Sequence, residues 1–169
     1  MRAVIIGANG QYGHYLNELC KLKNIESIGV SRSGNWLYTD VSYYDQVEQL
    51  IKEHRPACIF HLAANSITKH NTPFENHETI STGTLNILEA VKRHSPDSRV
   101  FISGSGVQFE NKGRPISEID NFEASSPYSV ARIHSVYAVR YFRSLRWFTI
   151  VGLSELAEIM ITHPSQKIL

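Results

Sequence analysis

Cysteine is scarce, long apolar runs are missing and neither sign of charge dominates; each shortage removes a class of protein. The two cysteines, Cys20 and Cys58, are too few for a disulfide scaffold. Cys20 on the first predicted helix and Cys58 in a predicted strand suit small buried hydrophobes in a reducing compartment rather than a bridge or a metal pair. No stretch approaches the ~20 apolar residues that a membrane-crossing helix needs, and residues 1–7 already read as a strand, which leaves no room for a signal peptide. A cytoplasmic protein is expected. Lys and Arg number 17 against 16 Asp and Glu, a formal net charge of +1, so no strong field exists to recruit nucleic acid or an anionic membrane. Arg140, Arg143 and Arg146 read as a solvated helix face. The 8 histidines show no ligand spacing, and no metal site is expected. Repeats and low-complexity tracts are also lacking, whereas 42% hydrophobic content over 169 residues suits one globular core.

What the chain does have begins at residue 3. Ala3-Val4-Ile5-Ile6 is an apolar run that stops at Gly7-Ala8-Asn9-Gly10-Gln11-Tyr12-Gly13, after which Leu16, Leu19 and Leu22 recur at helical spacing. Strand, tight turn and helix are predicted in that order. Each glycine has a chemical reason in such a turn: Gly7 permits the sharp bend, Gly10 lets main-chain N–H groups reach a pyrophosphate, and Gly13 lets helix and strand pack closely. The helix N-terminus adds partial positive charge for the phosphates. A second strand over 25–30 ends in Ser31-Arg32-Ser33. In a dinucleotide-binding fold that strand end faces the adenosine ribose, where an acid selects NAD and an arginine accommodates the 2′-phosphate of NADP. No acid is present in the tripeptide. An arginine–phosphate bond contributes about 1.5–3 kcal/mol, which favours NADP and leaves NAD possible; a solvated loop arginine is the alternative.

Further along, Tyr44, Val47, Leu50 and Ile51 mark a helix over 43–54, Pro56 stops it, and 57–62 reads as a third strand. That strand ends in His61-Leu62-Ala63-Ala64-Asn65, whose small residues let a cofactor lie against the main chain. One long helix is predicted over 74–94, with Leu85, Leu88 and Val91 on one stripe, and a fourth strand over 99–103. This alternation predicts an α/β fold: a Rossmann-like doubly wound parallel sheet in three α/β/α layers with right-handed crossovers. Beyond Gly104-Ser105-Gly106, the stretch Ser126-Pro127-Tyr128-Ser129-Val130-Ala131-Arg132 starts a helix, with Pro127 in its first turn and Ser125 or Ser126 as cap. Tyr128 and Arg132 then share a face. A cation one turn away favours the phenolate that general acid/base chemistry needs, and a serine hydroxyl at the neighbouring strand end can bond the reacting oxygen. Hydride transfer at a carbinol or ketone carbon fits that set; a core phenol and a turn hydroxyl are the structural alternatives.

These segments resemble the extended short-chain dehydrogenase/reductase superfamily, in its NAD(P)-dependent nucleotide-sugar epimerase/dehydratase group, which includes GDP-mannose 4,6-dehydratase. The resemblance rests on the residue 7–13 loop, Ser31-Arg32-Ser33, Asp40-Val41, His61-Leu62-Ala63-Ala64, Gly83-Thr84-Leu85-Asn86-Ile87-Leu88-Glu89-Ala90, Ser103-Gly104-Ser105, Pro115-Ile116-Ser117-Glu118 and Ser126-Pro127-Tyr128-Ser129-Val130-Ala131. They run in family order. The resemblance implies an NAD(P)-binding Rossmann domain over 1–145 that takes a nucleotide-sugar substrate. Implied cofactor contacts are Gly7, Asn9, Gly10, Gln11, Tyr12, Gly13, Ser31, Arg32, Ser33, Asp40, Val41, Leu62, Ala63, Ala64, Tyr128 and Arg132, with Asp40 and Val41 flanking the adenine. Ser105 and Tyr128 take the catalytic serine and tyrosine positions, and Arg132 joins them. A homodimer is implied, joined through a four-helix interface built from 74–94 and 126–143 of each copy.

The chain also departs from the family. The lysine of the family's YxxxK motif is Arg132, which keeps the charge but not the compact ammonium. Val107 stands two residues after Ser105, where dehydratases carry a glutamate that removes the sugar's C5 proton, and Ile80 replaces a polar residue. With 169 residues, the chain is expected to lack the C-terminal substrate domain of the extended family. Residues 146–162 lack the expected strand and active-site loop, while Ser165-Gln166-Lys167-Ile168 is family-like again; 146–169 is therefore expected to be a divergent tail, the start of a truncated substrate region. Two functions follow: an NADP-dependent nucleotide-sugar enzyme, for which reduction or epimerisation is as well placed as dehydration, or an NADP-binding module that is catalytically impaired or inactive.

Overall fold

The computed structural model describes residues 1–64 and 73–145, together with the main chain of 149–150. β1 (Arg2–Ile6) enters the centre of the sheet and the glycine loop delivers the chain to α1 (Gln11–Leu22). The chain then runs outward through β2 (Glu26–Ser31) and β3 (Leu37–Tyr38). After α2 (Tyr44–His54) it crosses back to β4 (Cys58–His61) on the other side of β1. α3 (Pro73–Asn76), a π-helical turn (His77–Thr82) and α4 (Gly83–His94) lead to β5 (Arg99–Ile102), and α5 (Pro127–Ser144) leads to the short β6 (Thr149–Ile150). All pairings within the sheet are parallel, in the order β3-β2-β1-β4-β5-β6. The direction of winding reverses between β1 and β4, and a crevice opens there at the carboxyl ends of the strands.

The central strands are apolar on both sides because helices cover both sides. Val4 and Ile6 of β1 join Val47 and Ile51 of α2, Leu88 and Val91 of α4 and Phe142 of α5 in one core cluster; Ala3 and Ile5 join Cys20 of α1, Phe60 and Phe101 in the other. Burying each large aliphatic side chain contributes about 1.5–3 kcal/mol, so register is held from both faces. The three-layer α/β/α fold expected from the sequence is what forms. Cys20 and Cys58 are free, buried thiols, as their places on a helix and a strand indicated.

Four expectations are corrected. Leu22 is 80% exposed; the fully buried side of α1 is Gly13, Asn17 and Cys20, with Leu16 half-buried against the same core, because Gly13 brings the start of the helix so close to the turn that its buried face falls on that row of residues. Leu85 is exposed whereas Leu88 and Val91 are buried, so the stripe on α4 is narrower than its spacing suggested. The single helix over 74–94 is interrupted by the π-helical turn, where the Gly83 N–H donates to the Glu78 carbonyl five residues back, and Ser135 of α5 donates its hydroxyl to the Ile80 carbonyl at 3.1 Å. No single-chain periodicity announces an extra residue that a neighbouring helix stabilises. Finally, 146–162 does contain a strand: Thr149 and Ile150 pair with Arg99 and Val100. Asn65, Arg146 and the rest of the tail, including 165–168, lie outside the described residues.

Candidate dinucleotide site

Gly7 takes φ +91°, and a Cβ added there would stand 2.6 Å from the Ala63 main-chain nitrogen. Only glycine allows β1 to turn at that point with the end of β4 pressed against it. At Gly13 a Cβ would stand 2.4 Å from the Gly7 carbonyl oxygen, which is the close packing its place in the motif requires. Gly10 is different: it caps α1 without a side-chain bond, and a Cβ there would meet only the Gly7 carbonyl oxygen, at 3.3 Å. The first-turn N–H groups of α1 are therefore left without a capping oxygen, ready for an anion.

Across the crevice, the segment after β2 is fastened to this loop. Asn9 Nδ2 donates to Ser33 Oγ at 3.0 Å, and the Ser33 N–H reaches Ser31 Oγ at 3.3 Å. Trp36 packs against Gly29, where a Cβ would fall 2.3 Å from the indole; this contact had no signal in the sequence. Arg32 Nη1 stands 3.6 Å from Asp40 Oδ2, with the arginine half exposed and the carboxylate largely covered. The other carboxylate oxygen, Oδ1, accepts from the Ser42 N–H at 3.0 Å and the Ser42 hydroxyl at 2.7 Å. On the far wall, Gly83 lets α4 approach Val41, since a Cβ there would lie 2.7 Å from Val41 Cγ2.

Together these walls enclose a cavity of about 310 Å³. It is lined by Gly7, Asn9, Gly10, Ser31, Arg32, Ser33, Val41, Leu62, Ala63 and Ala64, all expected from the sequence, and by Ile6, Thr39 and Thr79, which were not. Gln11 and Tyr12 stand exposed at the start of α1, Gln11 bonding Tyr15. Gly13 is packed below the loop, and Asp40, 3.6 Å from Arg32, lies between the lining residues Thr39 and Val41 without lining the cavity itself. Thr39 was legible as the last residue before Asp40-Val41. Thr79 was not, because the π turn changes which residues face inward.

The candidate catalytic residues gather at the carboxyl ends of β4 and β5. Ser126 caps α5 as expected, accepting the Ser129 N–H, and Pro127 opens the helix. Tyr128 and Arg132 are both buried, and Arg132 Nε donates to the Tyr128 hydroxyl at 3.1 Å while its guanidinium carbon lies 5.1 Å from the Tyr128 ring. Its Nη1 donates to the hydroxyl of Ser103 at 3.0 Å and to the Ser103 carbonyl. Ser103, not Ser105, is thus the serine tied to the pair. Ser105 instead caps the 3-10 turn at Gly106–Gln108, and its N–H donates to Gln108 Oε1 at 3.1 Å. Among the described residues no hydrogen bond joins Ser105 to Tyr128 or Arg132. Ile80 packs against Tyr128 and Ala131, filling with hydrocarbon the place that resemblance had marked as polar in the family.

His61 lies beside this group and is fully buried. Burial first, and the Arg132 charge second, push its pKa down to about 3, while the nearby Thr79 main chain pulls the other way. Neither ring nitrogen has a hydrogen bond of normal geometry, and the Thr79 hydroxyl is likewise buried without one.

A glycine-cornered cavity at the switch point of a parallel sheet, with an uncapped helix N-terminus on one side and a guanidinium on the other, defines a dinucleotide-binding α/β domain. The residues fit a dinucleotide because the cradle at Gly7 leaves no space for a side chain. The sequence profile of the NAD dependent epimerase/dehydratase family matches residues 3–154, and the chain belongs to that family. Similar curated proteins include GDP-mannose 4,6 dehydratase 2 of Arabidopsis thaliana, 27% identical over 98% of this chain and 51% of that protein. GDP-mannose 4,6 dehydratase 2 of Caenorhabditis elegans is 28% identical over 98% and 50%. The chain thus spans about half the length of these relatives. Among solved structures, UDP-glucose 4-epimerase of Thermotoga maritima with UDP-glucose has a TM-score of 0.79 at 20% identity, over 89% of this chain and 54% of that one. The dTDP-4-dehydrorhamnose reductase of Bacillus anthracis in complex with NADP has a TM-score of 0.75 at 21% identity, over 88% and 51%. These two likenesses establish the fold. No helix among the described residues is long and apolar enough to cross a membrane, and no cluster of metal-ligating residues occurs among them.

Proposed function

We propose that this chain binds a nicotinamide dinucleotide, NADP in preference to NAD, and acts on a nucleotide sugar as an epimerase/dehydratase-type oxidoreductase of the cytoplasm. The observation that carries the reading is the cavity itself, which joins the glycine loop to the Ser31, Arg32 and Ser33 rim. When bound, the nicotinamide takes up and returns a hydride. In this reading the Tyr128 oxygen exchanges the proton of the sugar hydroxyl, Arg132 at 3.1 Å stabilises the phenolate, and Ser105 orients the oxygen. Val107, 45% exposed, offers no carboxylate in the place of the dehydratase base, so reduction or epimerisation is favoured as much as dehydration. GDP-mannose is the first substrate to try, given the curated relatives.

A second reading has its own support. Arg132 is 4% exposed and spends its donors on Ser103 and Tyr128, an arrangement suited to a binding module without turnover. Fluorescence titration with NADPH and NADH tests the shared part of both readings, and failure to bind either refutes both. Turnover of GDP- and UDP-sugars by wild type and by Arg132→Lys separates them: activity that rises in the variant supports the enzyme, and none in either form supports the module. We also propose a homodimer through α4 and α5, on which Leu85, Val130, Tyr137 and Tyr141 are exposed; a monomeric mass by light scattering would refute it.

A further inference from the structure

We infer that Thr79 is a binding residue for the adenine nucleoside of the cofactor, presented to the cavity by the π-helical turn. The inference deepens the proposed dinucleotide site and rests on that reading. Four side-chain hydroxyls line the cavity, those of Ser31, Ser33, Thr39 and Thr79. Three are already engaged within the protein: Ser31 Oγ accepts the Ser33 N–H, Ser33 Oγ accepts from Asn9 Nδ2, and Thr39 Oγ1 donates to the Tyr38 carbonyl at 2.8 Å. Thr79 is the exception, since it is 3% exposed and its hydroxyl has no hydrogen bond among the described residues. A hydroxyl buried in this way is costly unless a partner comes from the cavity.

The π turn is the reason that Thr79 lies on the cavity wall. α5 holds the turn through two bonds, from the Ser135 hydroxyl to the Ile80 carbonyl at 3.1 Å and from the Ser81 hydroxyl to the Ala131 carbonyl at 3.4 Å. Ile80 packs against Tyr128 and Ala131, while its neighbour Thr79 lines the cavity. An extra residue in a helix redirects side chains in this way, and such turns are frequent at functional sites. The wall that Thr79 shares is made of Val41, Leu62 and Ala63, whereas Tyr128, Arg132 and Ser103 do not line the cavity. The space beside Thr79 is thus apolar and separate from the group proposed for the chemistry, which suits a flat purine rather than the nicotinamide. A threonine hydroxyl can donate to a ring nitrogen of that base or accept from its exocyclic amine.

The test compares the full chain as wild type, Thr79→Val and Thr79→Ser, by thermal unfolding without ligand and by titration with NADPH and NADH in nicotinamide fluorescence and with ADP in calorimetry. Valine keeps the shape of threonine and removes an unpartnered buried hydroxyl, so Thr79→Val should unfold at the same temperature as wild type or higher. It should nevertheless bind NADPH, NADH and ADP each about two- to tenfold more weakly, and Thr79→Ser should recover most of that loss. A Thr79→Val chain that binds all three as wild type does overturns the inference, as does one that loses affinity for NADPH and NADH but not for ADP. Earlier unfolding of Thr79→Val also overturns it, because the hydroxyl would then serve the fold. No binding of any of the three by wild type overturns the dinucleotide reading and this inference with it.

Discussion

Replacing Gly7, Gly10 and Gly13 by alanine, with Gly113 as reference, separates what the glycine loop does for the fold from what it does for a ligand. Gly113 has φ +68° with nothing within 4 Å of an added Cβ, so Gly113→Ala carries only the backbone cost of a left-handed residue, about 1–2 kcal/mol. Gly7 has φ +91° and a Cβ clash with the Ala63 nitrogen at 2.6 Å. That neighbour is main chain at the end of a central strand and yields only if β1 and β4 part. Overpacking of this kind adds about 1–3 kcal/mol, so Gly7→Ala should lose about 2–5 kcal/mol in total. At about 2–4 °C per kcal/mol for a chain of this size, its Tm should fall well below that of Gly113→Ala. Gly13→Ala, with its clash at 2.4 Å against the Gly7 carbonyl oxygen, should resemble Gly7→Ala. Gly10→Ala meets the same oxygen only at 3.3 Å and should stay within about 1 kcal/mol of wild type, yet it should lose NADPH affinity because the added methyl stands where the pyrophosphate approaches. Urea unfolding gives the stabilities and cofactor fluorescence the affinities. A Gly7→Ala variant no less stable than Gly113→Ala would refute the steric account, and a Gly10→Ala variant that binds NADPH as wild type does would refute the assignment of the loop to phosphate.

The remaining predictions concern charge, capping and packing. Because the His61 pKa in the folded chain, about 3, lies below the ordinary value of 6.5, the unfolded chain binds the extra proton. Stability is then complete above pH 6.5 and falls by about 1.4 kcal/mol per pH unit as pH drops toward 3; His61→Leu should flatten that slope in urea titrations, and an unaltered slope would place the effect elsewhere. Ser126→Ala removes the cap of α5, including the bond from the Ser129 N–H at 3.1 Å, and should cost about 1 kcal/mol in chemical unfolding. Gly29→Ala pushes against Trp36, 2.3 Å from the new Cβ; it should shift tryptophan emission to the red as the indole is displaced toward water. An unchanged spectrum would show that Trp36 has room to move aside.

Much of the cavity's lining is legible in the sequence because the determinants are local. Gly7, Gly10 and Gly13 are three points on one turn, and Pro127 with Ser126 states its own helix start. Arg32 could be placed on the rim of the cavity because the end of β2 has only one position relative to β1 in a doubly wound sheet. Other features were hidden because they join distant segments. The partner of Arg132 proved to be Ser103, two residues from the serine that the family pattern singles out, and in an extended strand end both alternate positions point the same way. Asp40 also stands 3.6 Å from Arg32, and Trp36 belongs over Gly29; neither contact is written in any one stretch of chain.

The amino-acid sequence by itself determined the element order, the parallel sheet, the glycine turn after β1 and the cap that starts α5, since each depends on periodicity or on backbone freedom within a few residues. The tertiary structure alone decided which side of α1 is buried, where the π turn breaks the helix before α4, which serine Arg132 holds, and that Asp40 reaches Arg32. Those outcomes depend on how closely neighbouring elements approach one another, a distance set by the packing of the whole sheet and its helices rather than by any stretch of chain.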